Sequence, residues 1–149
     1  MKKQQGFTLI ELVMVIVILG ILAATALPKF VSLQKDAKIA SLKGMKASLQ
    51  TAAQIGHAKA QVSGVNPATA VWVDMNNNGV TSEADGDIVV RFMYPEASTR
   101  GLANLLDLDG FTQVGGEFRL NGINGCEVVY AHPTVQGGSP TYTITDTAC

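Results

Sequence analysis

Gly6-Phe7-Thr8-Leu9-Ile10-Glu11-Leu12-Val13-Met14-Val15-Ile16-Val17-Ile18 sets a single carboxylate, Glu11, into a run that is otherwise almost entirely apolar. A charge at the centre of a membrane span costs about 2.5–3.5 kcal/mol on insertion scales, so an ionisable residue there calls for a partner and a purpose. Residues 12–27 carry no charge and are mainly Val, Ile, Leu and Ala. Counted from Phe7, the apolar stretch is about 21 residues, long enough to cross a bilayer core. Lys2 and Lys3 precede it, which fits a cytoplasmic N-terminus.

Three readings compete for this segment. A secretory signal has the same basic start and apolar region, with Ala24-Thr25-Ala26 as a small-residue cleavage site. A plain membrane anchor is the second. Neither gives Glu11 a task. Cleavage after Gly6 is the third, and it leaves Phe7 with a free amine four residues before Glu11, in the first turn of a helix. The carboxylate then suits the positive end of the helix dipole. One helix cannot easily satisfy the pair of charges internally, whereas two staggered helices can, with the amine of one meeting Glu11 of the next. On that reading Glu11 is a register device, costly alone and compensated on assembly.

The stretch 6–11 resembles the processing motif of type IV prepilins and pseudopilins, as do the short basic leader, the apolar helix, Gly20 and Pro28. The continuation Pro28-Lys29-Phe30-Val31-Ser32-Leu33-Gln34-Lys35-Asp36-Ala37, then Leu42-Lys43-Gly44-Met45-Lys46, looks most like the mannose-sensitive haemagglutinin (MSHA) pilin branch. The resemblance is specific over roughly the first 60 residues and thin beyond them. It implies cleavage between Gly6 and Phe7 by a membrane prepilin peptidase, N-methylation of Phe7, and pairing of Glu11 with the Phe7 amine of a neighbouring subunit. It also implies an assembly platform in the inner membrane, a homopolymer outside a Gram-negative cell, and a host or surface glycan as an attachment partner. Loss of Lys2 and Lys3 would leave nine basic against twelve acidic side chains, a balance of about −3, so a fibre surface would be mildly acidic.

Beyond Pro28 the pattern turns amphipathic. Phe30, Leu33, Ala37, Leu42, Met45, Leu49, Ala52 and Gly56 recur at three-, four- and five-residue steps, as on a helix with one buried face. A helix from Phe7 to about Ala60 would be roughly 80 Å long. Pro28 removes a backbone donor and predicts a kink, and Gly20 costs about 1 kcal/mol of helix propensity against Ala. The resemblance implies that the segment between them can stretch out in a filament core; a static kink is the alternative.

From Val71 onward the period shortens towards two. Strands are expected at 71–73, 88–93, 117–120, 126–130 and 141–145, punctuated by Gly, Asn and Pro. A long helix followed by antiparallel strands is an α+β order, with the sheet covering the apolar face of the helix's second half. The expected organisation is a leader (1–6), a membrane or filament-core helix (7–28), an amphipathic helix (29–62) and a β-sheet head (63–149). In an exported head the even pair Cys126 and Cys149 suggests a disulfide, which would close a loop of about 24 residues and contribute about 3 kcal/mol in the chain-entropy model. Two free thiols are the alternative. In the resembled family such a loop is an exposed, variable region that often carries contacts.

Residues 74–85, Asp74-Met75-Asn76-Asn77-Asn78-Gly79-Val80-Thr81-Ser82-Glu83-Ala84-Asp85, have calcium-loop spacing. Asp74, Asn76, Asn78, Ser82 and Asp85 bring side-chain oxygens at the first, third, fifth, ninth and twelfth places, Gly79 the sharp turn, and Val80 a carbonyl at the seventh. Two features depart from the standard loop: Asp85 replaces a longer Glu, as in dockerin-type loops, and the flank 71–73 reads as a strand. Asp87 is a further candidate ligand. The competing reading is a polar turn between strands, since Asn-Gly is a strong turn signal.

Other chemistry is excluded or weak. A net charge of −1 with 15% charged residues leaves no broad basic surface for nucleic acid. His57 and His132 lack partners at metal-ligand spacing, and no nucleophile elbow, phosphate loop or catalytic carboxylate pair stands out. Asp107 and Asp109 read as a solvated turn ending at Gly110. Trp72, Tyr94, Tyr130 and Tyr142 could form a ligand patch, but packing explains them better. The resemblance therefore implies a non-catalytic type IV pilus subunit serving adhesion and surface movement. A type II secretion pseudopilin and a secreted calcium-dependent binding module are the alternatives.

Overall fold

In the computed structural model, residues 7–66 and 68–149 are described. Helix α1 spans Leu9–Val62, and its helical assignment runs through Gly20 and Pro28. Seven strands follow: β1 (Val71–Val73), β2 (Ile88–Arg91), β3 (Tyr94–Pro95), β4 (Phe111–Val114), β5 (Glu117–Leu120), β6 (Glu127–Ala131) and β7 (Thr141–Thr145). They form two antiparallel sheets in simple sequence order, β1-β2-β3 and β4-β5-β6-β7. The α+β class is as expected. The chain divides into two compact units, Met1–Ala37 and Lys38–Cys149.

In the second unit the helix supplies one wall of the core. Leu42, Met45, Leu49, Ala52 and Ala53 pack with Leu102, Phe118, Leu120, Val128 and Tyr130. A smaller cluster joins Ala60 to Val73, Ile88 and Val90. Each fully buried Leu or Phe here contributes about 1.5–3 kcal/mol. Between the clusters, Gly56 lets the helix approach β2 and β3: a Cβ added there would lie 2.4 Å from Pro95 Cγ and 2.9 Å from Ile88 Cδ1.

The buried stripe starts later than the apolar pattern suggests. Phe30 and Leu33 are 65% and 61% exposed, and Ala37 is exposed too. Burial begins at Leu42 and includes Ala53 and Ala60, which the spacing did not single out. Periodicity marks which face is apolar; it cannot say how far along the helix the chain's own strands reach.

Two strands were not expected, β3 and β4, and the expected strand 88–93 stops at Arg91. Phe92 and Met93 form the two-residue turn of the β2–β3 hairpin, with φ values of 49° and 70°. Left-handed backbone costs a side-chain-bearing residue about 1–2 kcal/mol. The helix offsets part of this cost. His57 Nδ1 lies 2.7 Å from Met93 O, and the His57 ring stacks on Tyr94 with centroids 4.2 Å apart. Without Asn or Gly, Phe92-Met93 carries no turn signal a reader could use.

Candidate functional site

The first site is the start of α1. Thr8 precedes the helix, and its N–H and hydroxyl both donate to Glu11 Oε2, at 2.8 and 2.7 Å. In return the Glu11 N–H donates to Thr8 Oγ1 at 3.3 Å. This is a capping box, in which two backbone donors of the first turn are satisfied reciprocally. Its sequence signal is the Thr8-x-x-Glu11 spacing. Glu11 is thus held in one orientation by its own chain, and it stays exposed among exposed apolar neighbours: Phe7 is 92% accessible, and every residue from 7 to 24 is open. The apolar window in this helix, long enough to cross a membrane, has none of its residues buried.

Gly6 lies outside the described residues, so only the Phe7 side of the expected cleavage bond is in view. A Cβ at Gly20 would meet nothing within 4 Å. Pro28 sits inside the helix and offers no N–H to the Ala24 carbonyl.

The second site is the C-terminal loop. Cys126 and Cys149 form a disulfide with Cα atoms 4.9 Å apart. Cys126 is fully buried in the main core. Lys38 Nζ donates to Cys149 O at 2.7 Å, so the helix grips the far end of the loop that the disulfide closes.

The third site is the loop 74–85. Asn77 and Gly79 adopt left-handed backbone, at φ 60° and 81°, which winds the loop inward. Asp74 Oδ1 accepts from the Asn77 N–H at 2.6 Å and Oδ2 from the Gly79 N–H at 2.9 Å. Asn76 and Asn78 accept from the N–H groups two residues on. Asp85 Oδ2 receives Ser82 Oγ at 3.2 Å and Asn78 Nδ2 at 3.4 Å. The Gly79 N–H above all, then those of Asn77 and Asn78 and the charge of Lys59, hold the Asp74 carboxyl below its ordinary pKa against the opposing effect of burial. The expected ligand residues Asp74, Asn76, Asn78, Ser82 and Asp85 therefore share one loop. A carboxylate oxygen has two lone pairs, so each Asp74 oxygen keeps one after its N–H bond. Lys59 Nζ, 2.6 Å from Asn77 Oδ1, sets a cation at the loop's edge.

Asp87 is a different matter. It is fully buried, and its two oxygens accept the N–H groups of Met75 at 2.8 Å and Ser82 at 3.0 Å. Asn104 donates to the Asp87 carbonyl at 2.8 Å. The geometry makes Asp87 a clasp across the base of the loop rather than a further ligand facing an ion.

Tyr130 and Tyr142 pack with the main core, and Tyr94 stacks on His57. Tyr130 is buried with its hydroxyl on Pro95 O at 2.7 Å, and its ring lies 5.4 Å from that of Tyr142. Asp109 N–H donates to Asp107 Oδ1 at 3.2 Å, forming the turn before Gly110. Among the described residues no group of three or more His, Cys, Asp or Glu is placed to hold a metal.

The prokaryotic N-terminal methylation motif matches residues 1–27. A type IV narrow pilus major component of Thermus thermophilus is 40% identical over 72 residues, covering 48% of this chain and 60% of that protein. Type II secretion system core protein G of Pseudomonas aeruginosa is 51% identical over 43 residues, covering 29% of this chain and 30% of its own length. A fimbrial protein of Moraxella nonliquefaciens is 31% identical over 119 residues, covering 60% of this chain and 77% of that protein. The chain belongs to the type IV pilin family. This pilin thus spans 60% of the Thermus protein and 30% of the secretion protein. No solved structure matches it.

Proposed function

We propose that this pilin is a structural, non-catalytic subunit of a type IV pilus. One observation carries the reading: a membrane-length apolar helix, open along its whole face, begins with a carboxylate held in place by Thr8. The leader 1–6 is removed between Gly6 and Phe7 by prepilin peptidase, and Phe7 is N-methylated. The subunit waits in the inner membrane with its head outside the cytoplasm. An assembly platform then lifts it into a homopolymer in which apolar helices bundle and Glu11 meets the Phe7 amine of a neighbour. Gly20 and Pro28 let the intervening helix adjust there. The stretches 28–37 and 42–46 support the MSHA branch, and with it adhesion to a surface or host glycan. Intact mass of the chain from sheared surface fibres tests this. The expected species starts at methylated Phe7; a chain starting at Leu27 would overturn the reading in favour of a cleaved signal. The short match to a secretion protein supports a pseudopilin as the second reading, and that reading predicts no surface fibres by electron microscopy.

We further propose that the loop 74–85 binds calcium through Asp74, Asn76, Asn78, the Val80 carbonyl, Ser82 and Asp85. The ion would draw these oxygens together and stiffen the loop, with the Asn ligands lowering the charge and so the affinity. Ligand at a hundred times its dissociation constant stabilises the folded state by about 2.7 kcal/mol. The wild-type head should therefore melt several degrees higher in millimolar calcium than in chelator. Asp74→Ala with Asp85→Ala should abolish that difference. A wild-type melting temperature indifferent to both calcium and chelator would leave the loop a plain turn.

A further inference from the structure

The two sheets of the head meet where the connector 95–101 passes the end of β6. On the β2 side the connector is held by backbone: Glu96 N–H donates to Val89 O at 2.8 Å. On the β6 side two side chains reach it. The Tyr130 hydroxyl donates to Pro95 O at 2.7 Å, and His132 Nδ1 accepts the Ala97 N–H at 3.2 Å. These two bonds respond differently to acid. Burial first, then Tyr142 and Tyr94, push the Tyr130 hydroxyl far above its ordinary titration range, so it donates at any physiological pH. The imidazole bond needs a lone pair on Nδ1, which exists only while the ring is neutral with its proton on Nε2. Protonation would set an N–H on Nδ1 against the N–H of Ala97, donor against donor.

We propose that His132 is an acid-sensitive latch between the two sheets: neutral, it fastens Ala97 and the connector 95–101 to the end of β6, and protonated, it releases them. The surroundings favour the neutral ring. Burial foremost, then the Arg91 charge at the end of β2, lower its pKa from the ordinary 6.5, against a smaller opposite pull from Glu96 in the connector. Arg91 and Glu96 also pair with each other at 3.5 Å. On the β7 side, residues 133–145 include no ionisable side chain except Tyr142. A folded-state pKa below 6.5 means that the unfolded chain takes up the proton first as pH falls. The latch's stabilisation is therefore complete above the unfolded value and is lost as pH drops through the folded one. Acid would loosen the junction carrying the three-stranded sheet and its loop 74–87, while the disulfide-closed sheet holds.

The test is amide hydrogen exchange followed by NMR on the full chain in detergent micelles, from pH 7.5 down to 4.5. Rates are corrected for the intrinsic pH dependence of exchange. Protection of the Ala97 amide should fall about tenfold or more on the acid side, with the midpoint of the His132 ring titration, while Val128 in β6 stays protected. His132→Asn places an acceptor oxygen near the position of Nδ1 and does not titrate, so Ala97 should keep its neutral-pH protection throughout. Flat wild-type protection across the ring titration would overturn the proposal. An equal fall in H132N would overturn it too and assign the response to Glu96. Should H132N fail to fold, the match between the wild-type ring titration and Ala97 protection still decides the matter: different midpoints sink it.

Discussion

Glu11→Ala is expected to leave the subunit processed and in the membrane but to abolish surface fibres. Two losses coincide in this variant. The capping box at Thr8 disappears, which costs the helix about 1 kcal/mol at its first turn. In the proposed polymer, the Phe7 amine of the neighbour also loses its counter-charge inside apolar surroundings. Removing one partner of a buried ion pair costs about 3–5 kcal/mol, roughly 150- to 5,000-fold for each contact between subunits. The intersubunit term should therefore dominate. Glu11→Gln separates the two, because glutamine still serves a capping box but carries no charge. Thr8→Val is the complementary change: it removes the hydroxyl of the box and leaves the carboxylate. Sheared-fibre yield should collapse in E11Q as in E11A and fall only modestly in T8V. Wild-type yield from E11Q would make Glu11 a helix cap and nothing more.

Asp87→Ala should be the most destabilising single change in the loop region of the head. Its carboxylate is fully buried and takes the N–H groups of Met75 and Ser82, one from each end of the loop. Alanine would leave both donors without an acceptor. Hydrogen bonds to a charged group are worth about 1.5–3 kcal/mol each, so a loss of about 3–6 kcal/mol is expected. For a chain of this size that is about 10 °C or more in melting temperature. Asp87→Asn keeps one acceptor and turns an amide towards the other N–H, so it should fall between wild type and alanine. Thermal melting in chelator reads this effect apart from any bound ion. An alanine variant within about 2 °C of wild type would show that the loop closes without its clasp.

The loop 74–87 shows where sequence reading succeeds and stops. Oxygen-bearing residues at alternate places, with Gly79 at the turn, announced a wound polar loop, and the structure winds it. By its place at the loop's edge, Asp87 reads as a further candidate ligand. Nothing in spacing distinguishes a carboxylate facing an ion from one buried under backbone, because burial depends on strands β1 and β2 pairing across the loop. His132 is a similar case. Without a partner at metal-ligand spacing, it gains a role only when the connector from the other sheet brings Ala97 to its ring, 35 residues away in sequence.

What the sequence determined by itself is local and periodic. The apolar run, the two lysines before it and Glu11 specify a membrane-length helix with a charge at its start, because length, hydropathy and a single carboxylate are readable in order along the chain. The helical stripe, the principal strands and the two cysteines follow from the same kind of pattern. Only the tertiary structure decided that the stripe is covered from Leu42 onward, that Phe92-Met93 turns a hairpin against His57, and that two sheets rather than one form the head. These outcomes depend on which surfaces meet. A meeting between distant segments is set by the summed packing of all of them, which no local spacing encodes.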